Sequence, residues 1–177
     1  RHVEALTNAF PCSGVVVPQA EYRGITLRQL RKVIDHVSSY CHLWRDVHSD
    51  VALSAESLDF YQLSDWVLRP ATEEEGCSFA ELVMDTAQVP LWFVIHWWGE
   101  SVLGCWQSLE VHNEARLDLL GDDTLDEDSP YWIYAFAARL ASPSSSVEPL
   151  GDLKEEAFYH AMQRVHGALL VVRGKLE

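Results

Sequence analysis

At 177 residues the chain fits one domain, or one domain with an added lobe, and 48% hydrophobic content with seven Trp supplies a core and excludes disorder over most of its length. A formal charge of −14 excludes nucleic acid and anionic membrane surfaces as partners, because both are polyanions. The longest uncharged apolar stretch, Val89 to Gly99, is far short of the roughly 20 residues that span a bilayer, so the chain reads as soluble, or at most peripheral to a membrane complex.

In chain order, residues 1–24 hold Pro11, Gly14, Pro18 and Gly24 around Val15 to Val17, which predicts an irregular, extended arm laid over a partner surface. Residues 25–88 read as a helical N-terminal lobe. Leu27, Leu30, Ile34, Val37, Cys41 and Trp44 form a stripe at helical spacing, and Thr26 with Gln29 makes a capping box, so a helix is expected from Thr26 to about Arg45. Leu58 to Leu68 predicts a short strand or helix ending at Pro70, and Glu73 to Gly76 a turn. Ser78 and Glu81 give a second capping box, for a short helix through Met84.

Residues 89–177 alternate between strand and helix patterns. Strands are expected at 91–97, 131–137 and 168–173, and helices at 101–119, with Leu103, Trp106, Leu109 and Leu117 inward, and at 154–166, stopped by Gly167. Asp122 to Asp128 reads as a solvated acidic loop, and Ser142 to Gly151 as a long polar one. Alternation of this kind implies an α/β unit of three layers around a short parallel sheet of about three strands. The last strand, Ala168 to Val172, is apolar on both faces, yet only Arg173 to Glu177 follow it. Such an edge needs cover from the N-terminal lobe, a second copy or a larger assembly.

In open parallel sheets, ligands sit outside the carboxyl ends of the strands, and His96, Glu100 and Ser101 fall at such an end. Each also has a structural reading: a core histidine on an apolar strand, a carboxylate favoured by a helix start, and a cap for the following helix. No G-x-S-x-G elbow surrounds Ser101, and there is no Walker loop or G-x-G-x-x-G, so no cofactor is expected. The His and Cys residues show no zinc-finger or H-E-x-x-H spacing, so no metal is expected either. Cys12, Cys41, Cys77 and Cys105 are scattered without a C-x-x-C pair, which suggests reduced thiols in a cytosolic, stromal or matrix-like compartment. Among the aromatics, Trp97, Trp98 and Trp132 flank the strands and are candidate interface anchors, together with Leu170 and Val172.

Five segments follow one another in a recognisable order: Leu58-Asp-Phe-Tyr61, Trp66-Val-Leu-Arg-Pro-Ala-Thr72, Cys77-Ser-Phe-Ala-Glu-Leu82, Trp92-Phe-Val-Ile-His-Trp-Trp-Gly-Glu100 and Tyr131-Trp-Ile-Tyr-Ala-Phe-Ala137. Over residues 24–172 the chain resembles a largely uncharacterised H-W-W-G-E domain abundant in dinoflagellate algae, whose usual forms read close to W-F-V-S-H-W-W-G-E and Y-W-V-C-A-Y-A-N-N-Q. That domain is similar, more weakly, to TIR-type domains. The resemblance implies a flavodoxin/TIR-like α/β unit, and either homotypic association or hydrolysis of NAD by a glutamate on the helix after the third strand. Ile95 stands in place of the family's Ser, and Ala138, Arg139 and Leu140 replace Asn-Asn-Gln in the same crevice. The chain begins at Arg1 rather than Met and stops before a TIR-type glutamate helix, so it reads as a degenerate, truncated copy. His96, Glu100, Ser101 and Arg139 would then line a vestigial crevice. The expected function is a non-catalytic accessory or scaffold subunit that binds other protein subunits, in a photosystem or respiratory complex of a chloroplast or other organelle, with the cytoplasm as the alternative setting. The alternatives are a TIR-like NAD-hydrolysing or nucleotide-binding enzyme fragment and a homotypic signalling module.

Overall fold

Capping boxes set where three helices of the first half begin. The computed structural model describes residues 2–120, 126–140 and 154–172, with side chains omitted at 117–120 and 154–156. The expected inward position of Leu117, residues 122–125 of the acidic run, the polar loop 142–151 and the residues from Arg173 onward lie outside the described residues. Thr26 caps α2 (Leu27–Tyr40): its hydroxyl accepts the Gln29 N–H at 3.2 Å, and the Gln29 side-chain oxygen accepts the Thr26 N–H at 3.0 Å. Ser78 and Glu81 cap α5 (Phe79–Val83) in the same way.

The third box, Asp59 with Gln62, settles the 58–68 segment as helix. It opens α3 (Phe60–Leu63), and the helical path continues through a π turn at Ser64–Leu68 into α4 (Arg69–Thr72). Pro70 therefore lies inside the path and does not end it. In an α-helical register the Trp66 carbonyl would look for the N–H that Pro70 lacks. The His2 ring fills that place, its Nε2–H donating to Trp66 O at 2.7 Å. His2 also lies edge-on to Trp44 and Trp66, which stack on each other 5.7 Å apart.

His2 opens α1 (His2–Ala9), and this corrects the expectation of an irregular arm over the first residues. His2, Leu6 and Phe10 fall four apart on one helical stripe, and Leu6 and Phe10 are buried in the protein's own core. Beyond Phe10 the chain is irregular as far as a short 3₁₀ turn at Ala20–Tyr22.

The molecule is a mixed α/β fold with a four-stranded open sheet in the order β1-β3-β2-β4. Strands β2 (Trp92–Ile95), β3 (Pro130–Ile133) and β4 (Gly167–Leu170) are parallel and alternate with α6 (Val102–Leu120) and α8 (Lys154–Arg164), as the alternating pattern predicts. The short strand β1 (Ile25–Thr26) adds an antiparallel edge against β3. The expected strand 131–137 stops at Ile133, and Tyr134–Ala137 form a helical turn, α7. Ala135, Phe136 and Ala137 are buried in succession.

Each sheet face has its own apolar cluster. Trp92, Val94, Tyr131 and Ile133 join α2 and α6 in the main core. On the other face, Phe93 stacks on Trp132 at 4.8 Å beneath Phe158 and Ala161 of α8. Helix α8 leans towards β3, where its Arg164 guanidinium covers the Tyr22 ring at 4.8 Å. The β4 side of that face stays open: Leu170 pairs in register with Ile95, and both are exposed. Two glycines mark close approaches. A Cβ at Gly24 would meet Gln88 O and Pro130 at 2.8 Å, and one at Gly167 would meet the Trp92 ring at 2.6 Å. Gly167 was expected as a helix stop; its lack of a side chain is what lets β4 lie against Trp92.

The covered and open halves of this face differ in stability. Phe93→Ala is expected to cost about 3–5 kcal/mol, and Leu170→Ala less than about 0.5 kcal/mol. Urea denaturation of both variants measures the contrast.

Candidate functional site

The strand-end residues are held by the turn that leaves β2. The His96 ring packs on Phe60 with centroids 4.1 Å apart, and its Nδ1–H reaches the Trp97 carbonyl at 3.2 Å. Burial lowers its pKa, although that bond opposes the shift, so the ring is neutral at pH 7. Ser101 Oγ donates to Glu56 O at 2.9 Å and accepts the Gly104 N–H at 3.3 Å, which makes it the cap of α6 and its tether to the 56–59 loop. Both functions of the hydroxyl are thereby committed. The Cys105 thiol behind it is pushed up to about 12 by burial, reinforced by Glu100, and is no nucleophile at neutral pH.

Glu100 is different. Its residue is only 7% exposed, yet its carboxylate has one bond, Oε1 accepting the adjacent Ser101 N–H at 3.2 Å, and no cationic partner among the described residues. It faces an open groove of about 340 Å³ at the carboxyl ends of β2 and β4, walled by Glu56, Ser101, Gln107, Val171 and Val172. The structure thus brings Glu100, Ser101 and Val172 together, and places His96 against Phe60. Glu56, Gln107 and Val171 carry no motif that would have singled them out in the sequence.

Of the aromatic anchors expected at an interface, Trp97 is 71% exposed, its ring lying over Gly99. Trp98 is half-buried between Tyr61 and Tyr134. Trp132 is placed in the core at 1% exposure, with its indole N–H donating to Ala20 O at 2.9 Å. Leu170 and Val172 are 68% and 73% exposed.

Arg139, expected in the same crevice as His96, instead ends in a buried ion cluster. Its Nε and Nη2 make a bidentate pair with Glu81 at 3.0 and 2.6 Å. Glu81 also accepts the Val17 N–H at 2.9 Å and the Ser78 N–H at 2.8 Å, and Arg23 lies 3.6 Å away. Arg23 in turn donates to Val17 O, Pro18 O and Ala137 O. The capping-box pattern marked Glu81 as a cap, and nothing in the sequence tied it to Arg23 or Arg139. Burial alone would raise the Glu81 carboxyl; the bonds from Arg139, Ser78 and Val17, with the charge of Arg23, outweigh it and hold the group at about 2.

Among the described residues no group of three or more His, Cys, Asp or Glu side chains is placed to hold a metal ion, and no helix is long and apolar enough to cross a membrane. Comparison with protein-family models, with curated proteins and with solved structures returns no match.

Because the Glu81 pKa is depressed on folding from 4.5 to about 2, its contribution to stability is fully present above pH 4.5 and is lost as the pH falls towards 2. Thermal denaturation between pH 7 and 2 should show that loss, and Glu81→Gln should be less stable at pH 7 with a flatter acid limb.

Proposed function

We propose that this chain is a non-catalytic accessory domain that binds another protein through the open side of its sheet. The observation that carries the reading is β4. It is the outer strand, no described strand pairs with its far side, and Ile95, Leu170 and Val172 present apolar side chains beside that edge. An extended segment of a partner can add to such an edge, with backbone bonds giving affinity and the apolar side chains giving register. The spatial order of the parallel strands, second, first, third in chain order, agrees with the start of a flavodoxin-like sheet and supports the TIR-like outline as the finer description of the unit. The resemblance to an algal family makes an organellar assembly the first setting to examine.

The strand-end chemistry favours binding over NAD hydrolysis. The Ser101 hydroxyl and the His96 Nδ1–H are engaged with backbone carbonyls, and Glu56 and Glu100 make the groove acidic, a poor match for a pyrophosphate.

Native mass spectrometry of the chain isolated from its source under gentle lysis should show a larger species of fixed stoichiometry, lost in Leu170→Asp. A free monomer, or association indifferent to Leu170→Asp, overturns the proposal. Incubation with NAD should release no nicotinamide; steady release would establish the enzyme reading in its place.

A further inference from the structure

The irregular segment after Phe10 is pinned to α5 on both sides of Cys12. Before it, the Phe10 ring meets the Phe79 ring edge-on, with centroids 5.1 Å apart. After it, the Ser13 N–H donates to Leu82 O at 3.1 Å and the Ser13 hydroxyl to Glu81 O at 3.0 Å. Cys77 stands at the head of the same helix, directly before its cap Ser78 and two residues before Phe79. All four cysteines of the chain lie in described residues: Cys12 is exposed, Cys77 half-buried, and Cys41 and Cys105 sit in the core at 4% and 2% exposure. The electrostatics set Cys12 and Cys77 apart as neighbours. Burial pushes the Cys77 thiol up to about 11, and the next contribution is the charge of Cys12, ahead of that of Glu81. For Cys41 and Cys105 the charges that raise the thiol come from Glu56 and Glu100.

We propose that Cys12 and Cys77 are a reversible redox pair, closing to a disulfide that clamps the segment after Phe10 onto α5. The oxidant is a small disulfide of the glutathione class. Exposed Cys12 reacts first: its thiolate attacks one sulfur of oxidised glutathione, which leaves Cys12 joined to glutathione and releases the other half as a thiol. The Cys77 thiolate then attacks the Cys12 sulfur and expels the second glutathione, so two protein thiols become one disulfide and one oxidised glutathione becomes two reduced ones. Capping Cys12 removes the negative charge that holds the Cys77 thiol up, so the first step eases the ionisation that the second requires. An excess of thiol runs both steps backwards. The link crosses the junction that Glu81 already bridges through the Val17 N–H, and it closes a long loop of chain between strap and helix. Cys41 and Cys105, enclosed in the core, stay outside the exchange.

The test is oxidation of the whole folded chain with oxidised glutathione at pH 8, followed by mass spectrometry of the intact protein and of its peptides without reduction. A monomer lighter by two hydrogens, with the Cys12 and Cys77 peptides joined and the link lost on adding dithiothreitol, is the expected product. Cys77→Ser should stop at one glutathione on Cys12, Cys12→Ser should form no link, and Cys41→Ala should behave as the parent. Closure should raise Tm by about 5–10 °C and slow exchange of the Ser13 and Val17 amide hydrogens about tenfold. A glutathione adduct that never resolves in the parent chain, a link that forms only in urea, a link between two chains, or a different pairing overturns the proposal. A Cys12–Cys77 link that leaves exchange at Ser13 and Val17 unchanged overturns the clamp.

Discussion

One fully buried carboxylate joins four parts of this molecule. Glu81 begins as a helix-capping residue, taking the N–H of Ser78, and from there it binds the Val17 backbone, the Arg139 guanidinium and the charge of Arg23. Arg23 carries the connection to the carbonyls of Val17, Pro18 and Ala137. The irregular 11–23 segment is thereby tied to α5 and to the end of α7. The residues that follow it directly, Ile25 and Thr26, are delivered to the β3 edge as β1. Burying these charges is costly in itself, and the bonds around Glu81 are what make the site tolerable. Their return is positional, because a polar cluster satisfied in only one arrangement defines where the otherwise featureless strap lies.

The second organising fact is an imbalance between the two faces of the sheet. Helices α2 and α6 cover one face broadly, while α8 covers the other only over β2 and β3, drawn there by Phe158 on Trp132 and by Arg164 on Tyr22. Strand β1 closes the β3 edge, and β4 has no counterpart among the described residues. The open β4 edge and the acidic groove are neighbours because the groove lies between the first turns of α6 and the residues that follow β4. Ligands of open parallel sheets gather at strand carboxyl ends where connections diverge, and the groove between β2 and β4 is such a place.

Much of the fold was legible because its signals are local. The Thr26–Gln29 and Ser78–Glu81 boxes, the 3-4 stripe of α2, and the alternation that led to β2, α6, β3, α8 and β4 all depend on residues within a few positions of one another. Three readings differed because non-local contacts decided them. Residues 2–9 are a helix because His2, Leu6 and Phe10 meet the Trp44, Trp66 and Phe79 region. The 134–137 segment is a turn of helix because Phe136 is enclosed between Phe60 and Phe79. The path through Pro70 remains helical because a ring some 64 residues away supplies the missing donor.

The sequence by itself determined the type of the capped and strongly periodic elements, the parallel α/β character and the placement of Glu100 and Ser101 at a strand end, since periodicity and capping are properties of neighbouring residues. Tertiary structure alone decided which charges meet. It carried Arg139 away from the His96 end to Glu81, set Trp132 in the core while leaving Trp97 outside, and placed Glu100 beside a groove at the ends of β2 and β4. Pairing and burial depend on distances between segments far apart in the chain, and no local pattern encodes them.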